Sequence, residues 1–286
     1  MSEHAKKLAA ATAAAIIVSI AGTVAVMHPE RADGMKPRAV LDALSRWPAG
    51  HIVDLTHGFA PGIPHREILG DEIIEPLFAY APGAGRLGTG AQLDRFTLVG
   101  QWGTHVDAPV HFGEGMRSLE KIEPGEMILP LVVLDIHEQA AADADYAVNM
   151  NDVRHWEQRH GPIPIGAFVA LRTDWYKRWP DAAAFFNDRS DGVSHYPGWS
   201  LEVLKYVDEQ RGAKAIGHET PDTDPGATAE QSGYALESYH LRSDRYQIEM
   251  MTNLDRVPQS GAVIIATWPR ATGASGFPAR VLALVP

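Results

Sequence analysis

The sequence predicts a single mixed α/β domain over residues 49–286. Short runs rich in valine, isoleucine and leucine recur along this part of the chain, as expected for buried strands. Segments with helical start and stop signals lie between them. No internal repeat is visible, and a chain of 286 residues with 45% hydrophobic residues suffices for one large core.

The compact body opens with HIVDLTHGF (51–59), and six further runs have the composition of strands. These six are FTLVG (96–100), MILPLVVLDI (127–136), FVALRT (168–173), AKAIG (213–217), AVIIATW (262–268) and ARVLALV (279–285). Their β-branched and leucine-rich composition predicts strands that are buried in the domain.

Two segments predict helices. NDVRHWEQRHG (151–161) begins with residues that can cap a helix and ends with glycine. SLEVLKYVDEQRG (200–212) begins with Ser200 as a candidate N-cap and also ends at a glycine. It leads directly into the predicted strand 213–217, which gives an α-then-β unit.

Composition and charge exclude several classes of function. The 25 Lys and Arg against 36 Asp and Glu leave a net charge of −11, which argues against a nucleic-acid partner. Cysteine is absent, so disulfides, thiolate nucleophiles and cysteine-based zinc sites are excluded. A metal ion would need histidine, carboxylate or amide ligands.

The N-terminus predicts export. Lys6 and Lys7 precede an uncharged apolar stretch, Leu8 to Met27, in the order typical of a signal peptide. The same stretch is long enough to span a bilayer. Residues 1–27 are therefore a signal peptide or an N-terminal membrane anchor, with a buried helix of the domain as the alternative. Residues 28–48 read as a linker and a short helix, and the domain is expected in the periplasm or anchored outside the cytoplasm.

One loop, GQWGTHVDAPVHFGEG (100–115), concentrates metal-ligand and acid/base residue types. In an extended segment His105 and Asp107 project to the same side, and Gln101 can join that face. His111 would then stand at the edge of the group as a proton carrier. From spacing alone, both a cation site and an ordinary hydrogen-bonded polar loop remain open.

QWGTHVDAPVHF resembles the H-x-G-T-H-x-D-A-P-x-H-F signature of the cyclase family of metal-dependent hydrolases, which includes bacterial kynurenine formamidases and isatin hydrolases. Further segments resemble the family in the expected order: IVDLTHGFAPGIP (52–64), LRTDW (171–175), PGWSLEVLKYV (197–207), AKAIGHETPDTDPG (213–226) and IEMMTNLDRVP (248–258). The resemblance implies a mixed α/β domain with a β-barrel-like core flanked by helices. It also implies a homodimer or homotetramer.

The resemblance implies roles for particular residues. His105 and Asp107 match metal ligands of the signature. His240 lies where a later ligand histidine is expected, and Glu249 matches the ligand glutamate. The separation of these last two residues is slightly short for the family. His111 matches the acid/base histidine. The implied cofactor is a divalent metal, with Zn²⁺ expected and Mn²⁺ as the alternative.

The sequence departs from the family at two places. Gln101 replaces the first histidine of the signature. As a neutral amide ligand it puts a second metal in doubt, which leaves open either a mononuclear site or one that prefers a harder ion such as Mn²⁺. In GHETPDTDPG, His218, Glu219 and Asp222 replace an apolar residue, an aspartate and a serine of the family pattern G-I-D-T-P-S-x-D. This loop is expected to line the substrate pocket.

The resemblance predicts a hydrolase that acts on carbon–nitrogen bonds other than peptide bonds. An activated water would attack an amide or formamide, as in an arylformamidase, with N-formylkynurenine as the natural small-molecule substrate. One alternative is a hydrolase of a cyclic amide or lactone. Another is an exported metal- or ligand-binding protein that has the fold but no catalytic activity. Trp102, Phe59 and His57 are candidates for a substrate wall, although the aromatic residues could equally be core.

Overall fold

The computed structural model of the chain describes residues 49–80 and 90–286. The predicted signal or anchor (1–27) and the linker (28–48) lie outside the described residues, so both stay predictions. No helix within the described part combines the length and apolar character that crossing a bilayer requires.

The described residues form a nine-stranded sheet and a separate two-stranded hairpin. The strands are β1 (Ile52–Asp54), β2 (Ile73–Phe78), β3 (Leu93–Thr97), β4 (His105–Asp107), β5 (Ile128–Asp135), β6 (Phe168–Arg172), β7 (Ala215–His218), β8 (Tyr246–Glu249), β9 (Ala262–Thr267), β10 (Gly276–Pro278) and β11 (Arg280–Leu284). The order in the large sheet is β1-β11-β9-β5-β6-β7-β8-β4-β10.

The four central strands β5 to β8 are parallel, and the remaining pairs are antiparallel. The sheet curls into a half-barrel with helices against it, which confirms the predicted mixed α/β fold with a barrel-like core. Parallel strands need long crossover connections, which the helices provide.

The helices are α1 (His137–Ala142), α2 (Met150–His160), α3 (Ala182–Phe186), α4 (Leu201–Lys205), α5 (Gly226–Ser232) and α6 (Ala235–Arg242). The chain after α4 continues in wider π-helical turns over Tyr206–Gln210. Single 3₁₀ turns occur at Ala49–His51, Glu67–Leu69, Pro109–His111, Leu119–Lys121, Pro124–Glu126, Trp175–Arg178 and Leu254–Arg256.

Helix α2 shows why the predicted helical segment forms. Asn149 accepts a hydrogen bond from a backbone N–H of the first turn, and Asp152 closes the reciprocal capping box. Val153 and Trp156 bury one face, and Gly161 ends the helix at a positive φ of 84°. Capping and burial therefore agree on the same boundaries.

Strand β5 is buried on both sides, which explains its continuous apolar run. Leu131 and Val133 belong to one core cluster, whereas Val132 and Leu134 belong to another on the opposite face of the sheet. The sheet thus separates two hydrophobic cores.

The predicted strand FTLVG (96–100) is wrong in both bounds and environment. Residues Leu93–Thr97 form β3, which pairs only with β2, and Leu93 and Phe96 remain exposed. Apolar composition by itself does not reveal whether a strand joins the main sheet or stays in a hairpin beside it.

Candidate metal centre and substrate cavity

Two short antiparallel strands, β4 and β8, bring the main polar residues together. Their register places His105 opposite Glu249 and Asp107 opposite Gln247. Residues two apart on a strand share a face, and directly opposed residues have neighbouring side chains. Four polar side chains therefore project from one face, while the intervening residues of both strands enter the core.

His105, Asp107 and Glu249 form a buried triad of possible metal ligands. The His105 Nε2 atom lies 3.2 Å from Asp107 Oδ2 and 3.5 Å from Glu249 Oε2. One candidate ligand atom from each residue lies within 4.8 Å of the others. The structure thus brings together three of the residues that the sequence singled out.

The ring of His105 is oriented to offer a lone pair. Its Nδ1 lies 2.8 Å from the Gly103 carbonyl oxygen, which can only accept a hydrogen bond, so Nδ1 carries a proton. Nε2 is buried, has no hydrogen-bond partner in the described part of the chain, and faces the two carboxylates. Burial opposes charge on this ring, but the Asp107 carboxylate and the hydrogen bond to Gly103 together outweigh burial and raise the pKa of His105. The carboxylates thus favour positive charge at Nε2, which a proton or a cation can supply.

A surplus of carboxylates surrounds this point. The side-chain nitrogen of Gln247 lies 2.8 Å from Glu249, 3.0 Å from Glu237 and 3.3 Å from Asp107, so its two N–H groups are shared among three carboxyl groups. Burial, together with the neighbouring carboxylates, raises the pKa of Glu237 and of Glu249 well above the usual value. This excess of negative charge, together with the unpartnered His105 nitrogen, fits a divalent cation. One imidazole with carboxylate oxygens suits zinc and manganese alike.

His218 lies beside Glu249 at the end of β7. Trp199 Nε1 donates to His218 Nδ1 at 3.3 Å, and burial lowers the pKa of His218 to about 3, so the ring is neutral with its proton on Nε2. That nitrogen lies 3.3 Å from Glu249 Oε1. Nε2 makes no hydrogen bond with any described residue, so His218 directs an N–H group, and not a lone pair, towards Glu249.

His240 does not join the metal cluster, and its assignment as a ligand is corrected. Its Nδ1 lies 3.0 Å from Asp208 Oδ2 and its Nε2 lies 3.1 Å from the Tyr246 carbonyl oxygen. Both ring nitrogens are thus engaged in a buried contact that ties α6 to the body. Glu237, three residues earlier on the same helix, reaches the site instead.

Gln101 also differs from its expected role as a ligand. Its side-chain nitrogen donates to Asp107 Oδ1 at 3.2 Å and to Ser275 Oγ at 3.4 Å. The amide therefore orients the Asp107 carboxylate, and its nitrogen is the atom directed at the cluster.

His111 lies at the boundary between the buried carboxylates and solvent. Its Nε2 is 3.8 Å from Glu237 Oε1 and 3.9 Å from Asp107 Oδ1, and its side chain is 30% exposed. A histidine in this position can exchange protons between a ligand in the cavity and water.

A cavity of about 330 Å³ opens over the triad. Its apolar lining consists of Leu69, Val99, Trp102, Phe112, Phe186 and Met250. Such a volume with largely apolar walls is typical of a small-molecule site.

The three candidates for the substrate wall are placed differently. Trp102 is only 2% exposed and lines the cavity, with an indole nitrogen that has no hydrogen-bond partner among the described residues. His57 and Phe59 do not belong to the cavity lining. His57 stacks on Trp179 with 4.2 Å between ring centroids, and Phe59 packs against Gly103. Phe59 thus lies behind the loop and His57 packs on a tryptophan outside the cavity, which corrects their assignment to the wall.

Comparison with known proteins identifies the family. The Cyclase family model matches residues 53–225. The chain belongs to the cyclase family. An isatin hydrolase of Roseibium aggregatum is 33% identical over 193 residues, which make up 64% of this chain and 71% of the relative.

Solved structures agree over nearly the whole cyclase domain. Isatin hydrolase A from Ralstonia solanacearum has 34% identity and a TM-score of 0.78, covering 89% of this chain and 99% of that one. An isatin hydrolase bound to the product analogue thioisatinate has 27% identity and a TM-score of 0.80, covering 88% and 100%. The chain is therefore a cyclase-family metal-dependent hydrolase that is similar to isatin hydrolases.

Sequence reasoning missed two residues of this cyclase site, Glu237 and Gln247. The short separation of His240 and Glu249 was the available signal for the first, because Glu237 lies one helical turn earlier. No local signal pointed to Gln247, whose role follows from its register opposite Asp107.

Proposed function

We propose that this chain hydrolyses the carbon–nitrogen bond of a cyclic amide, opening an aromatic lactam of the isatin type. The observation that carries the proposal is the triad of His105, Asp107 and Glu249 beneath an aromatic-walled cavity. The likeness to isatin hydrolases, one of them bound to a product analogue, supports the substrate class.

His105, Asp107 and Glu249 would hold the divalent ion, which would be Zn²⁺ or Mn²⁺. When bound, such an ion supplies Lewis acidity that polarises a carbonyl and makes water a stronger acid. Gln247 and Gln101 keep the carboxylates in place through the hydrogen bonds described above. These neutral groups hold the acidic side chains together without adding charge.

His111 carries the proton during hydrolysis. Its Nε2 accepts a proton from the attacking water while the water oxygen bonds to the carbonyl carbon. When the carbon–nitrogen bond breaks, the same nitrogen donates that proton to the leaving amine. The apolar walls around Trp102 and Phe112 hold the flat ring and limit access of other water molecules.

The experiment pairs metal analysis with a substrate screen. Purified protein is analysed for bound metal, depleted with a chelator, and reloaded with Zn²⁺ or Mn²⁺. Each sample is assayed with isatin, with the corresponding lactone and with N-formylkynurenine. We expect turnover of the lactam that is lost on chelation and restored by one of the ions.

Turnover of N-formylkynurenine alone would favour the arylformamidase specificity, which stays a prediction, and turnover of the lactone alone would favour a lactonase. Full activity after exhaustive chelation would overturn the metal-dependent proposal. Metal binding without turnover of any substrate would favour the binding-protein alternative.

Export and self-association are further proposals. The N-terminal sequence supports a periplasmic or membrane-anchored location, which cell fractionation tests. The exposed apolar side chains of the β2–β3 hairpin, among them Ile73, Leu93 and Phe96, support a homo-oligomer. Light scattering of the purified chain measures its mass directly.

A further inference from the structure

One part of the cavity wall is polar and lies on the loop that follows β7. Asp222 and Tyr234 belong to this part, together with Arg66. Asp222 occupies the position where the family pattern has a serine, so its carboxylate is a feature of this chain.

The Asp222 carboxylate is held at one oxygen and free at the other. The buried Tyr196 hydroxyl donates to Oδ2. Oδ1 accepts no hydrogen bond from any described residue, although the side chain lines the cavity. Burial raises the pKa of Asp222 to about 6, against the opposing effects of Tyr196 and Arg66, so the group is mainly ionised at neutral pH.

Arg66 provides a fixed counter-charge for this carboxylate. Its Nη2 donates to Ser194 Oγ at 2.9 Å, its Nη1 lies 3.6 Å from Asp188 Oδ1, and its guanidinium stacks 4.3 Å above the Phe186 ring. These contacts restrain the guanidinium group of Arg66. The negative charge of Asp222 stabilises the protonated form of Arg66 and contributes to its raised pKa.

Asp222 lines the same cavity as the metal triad. Its charge acts on both His105 and Glu249, and all three residues line the same cavity. An amide whose carbonyl oxygen is directed at the triad would present its nitrogen, one bond away from the carbonyl carbon, to a neighbouring part of the wall.

We propose that Asp222 Oδ1 accepts a hydrogen bond from the N–H of the scissile amide and thereby selects N–H-bearing lactams over lactones and N-substituted lactams. This inference rests on the proposed function and names the chemical feature that the site selects. A ring oxygen at that position would place a lone pair against the carboxylate, and a methylated nitrogen would leave the acceptor buried without a donor. Both arrangements lose a hydrogen bond to a charged group.

The test uses two flat ligands of equal size, oxindole and 2-indanone, which differ by N–H against CH₂. Their dissociation constants are measured by calorimetry on metal-loaded wild type and on the Asp222→Ser, Asp222→Asn and Asp188→Asn variants, with metal content determined for each. Asp188 is the matched control, because it also neighbours Arg66 but does not line the cavity.

We expect wild type and Asp188→Asn to prefer oxindole by about ten- to a hundredfold, which corresponds to one charge-assisted hydrogen bond. For Asp222→Ser, the dissociation constants of the two ligands should agree within about twofold. For Asp222→Asn, which keeps a neutral acceptor, the preference for oxindole should lie between those of wild type and Asp222→Ser. A preference that survives in Asp222→Ser, or that falls equally in Asp188→Asn, would overturn the assignment.

Turnover measured beside binding separates the two proposals. A wild type that hydrolyses no lactam yet prefers oxindole through Asp222 would contradict the proposed function and support the inference. A wild type that hydrolyses isatin but binds both probes equally would support the proposed function and contradict the inference about Asp222.

Discussion

In His105 the two ring nitrogens meet different partners, and this difference decides which of them can bind a cation. The Gly103 carbonyl accepts a hydrogen bond from Nδ1–H, and Nε2 faces carboxylates. In His218 a tryptophan donates to Nδ1, and in His240 both nitrogens are engaged. Of these three buried histidines, His105 is the one whose surroundings leave a lone pair directed at acidic side chains.

Replacement of His111 by alanine tests its role in proton transfer. We expect kcat/KM for the lactam to fall by about 10²–10⁴-fold, because a positioned general acid/base contributes an effect of this size. The metal content should match wild type, since His111 lies outside the triad. Unchanged turnover would remove His111 from the mechanism.

Paired variants test the correction of His240. Glu249→Gln should lower metal content, because it replaces a carboxylate of the triad by a neutral amide. His240→Gln should retain the metal but lower the melting temperature, because it leaves the buried Asp208 without its ring partner. Equal loss of metal in both variants, measured by elemental analysis, would restore His240 as a ligand.

At the scale of elements, the β4–β8 pair sets the site through its register. A slip of one residue would turn the polar face of either strand into the core. The neighbouring strand β7 limits such movement, because it packs closely on the far side of β8. Gly217 is part of this packing: a Cβ placed there would lie 2.6 Å from both Met251 Sδ and Phe168 Cζ.

Substitution of Gly217 by alanine should therefore destabilise the protein. We expect a decrease of about 1–3 kcal/mol in the free energy of unfolding, because overpacking forces the sheet or the ring to move. Gly125→Ala is the control, since a Cβ there meets no atom within 4 Å. Urea denaturation measures both, and equal stabilities would contradict the close packing of β7.

At the scale of the whole molecule, the site concentrates buried acidic groups, and this makes stability depend on pH. Glu219 accepts two hydrogen bonds from Thr173 at Oε2, while its Oε1 is buried without a partner. Burial raises the pKa of Glu219 to about 8 against these hydrogen bonds. The folded protein therefore keeps a proton that the unfolded chain releases near its usual pKa of 4.5.

The tighter proton binding of Glu219 in the folded state therefore contributes fully to the free energy of unfolding below about pH 4.5. This contribution is lost as the pH rises towards 8. We expect Glu219→Gln to remove up to about 1.4 kcal/mol per pH unit from the slope of stability against pH in this window. Denaturation of both proteins at pH 5 and pH 8 checks the sign. A free energy of unfolding that falls more steeply with rising pH in the variant than in wild type would contradict this role of Glu219.

Much of the architecture could be predicted from local patterns. The capped segment at 151–161 and the apolar run at 127–136 became α2 and β5 with nearly the expected bounds. The short strand β8 and the hairpin position of β3 could not be predicted, because pairing partners distant in the chain decide them. For β3, composition predicted neither the exposure of the strand nor its place in a separate hairpin, because both depend on its pairing partner.

The sequence by itself indicated the family through its resemblance to the signature, and the α/β class through its strand and helix patterns. It also predicted the His105–Asp107 pair, because spacing along an extended segment sets which side chains share a face. Only the tertiary structure decided that Glu249 stands opposite His105, that Glu237 replaces His240 near the cluster, and that Gln101 supports a carboxylate. These outcomes depend on which atoms long-range packing places within hydrogen-bonding distance, and residue identity alone does not encode that.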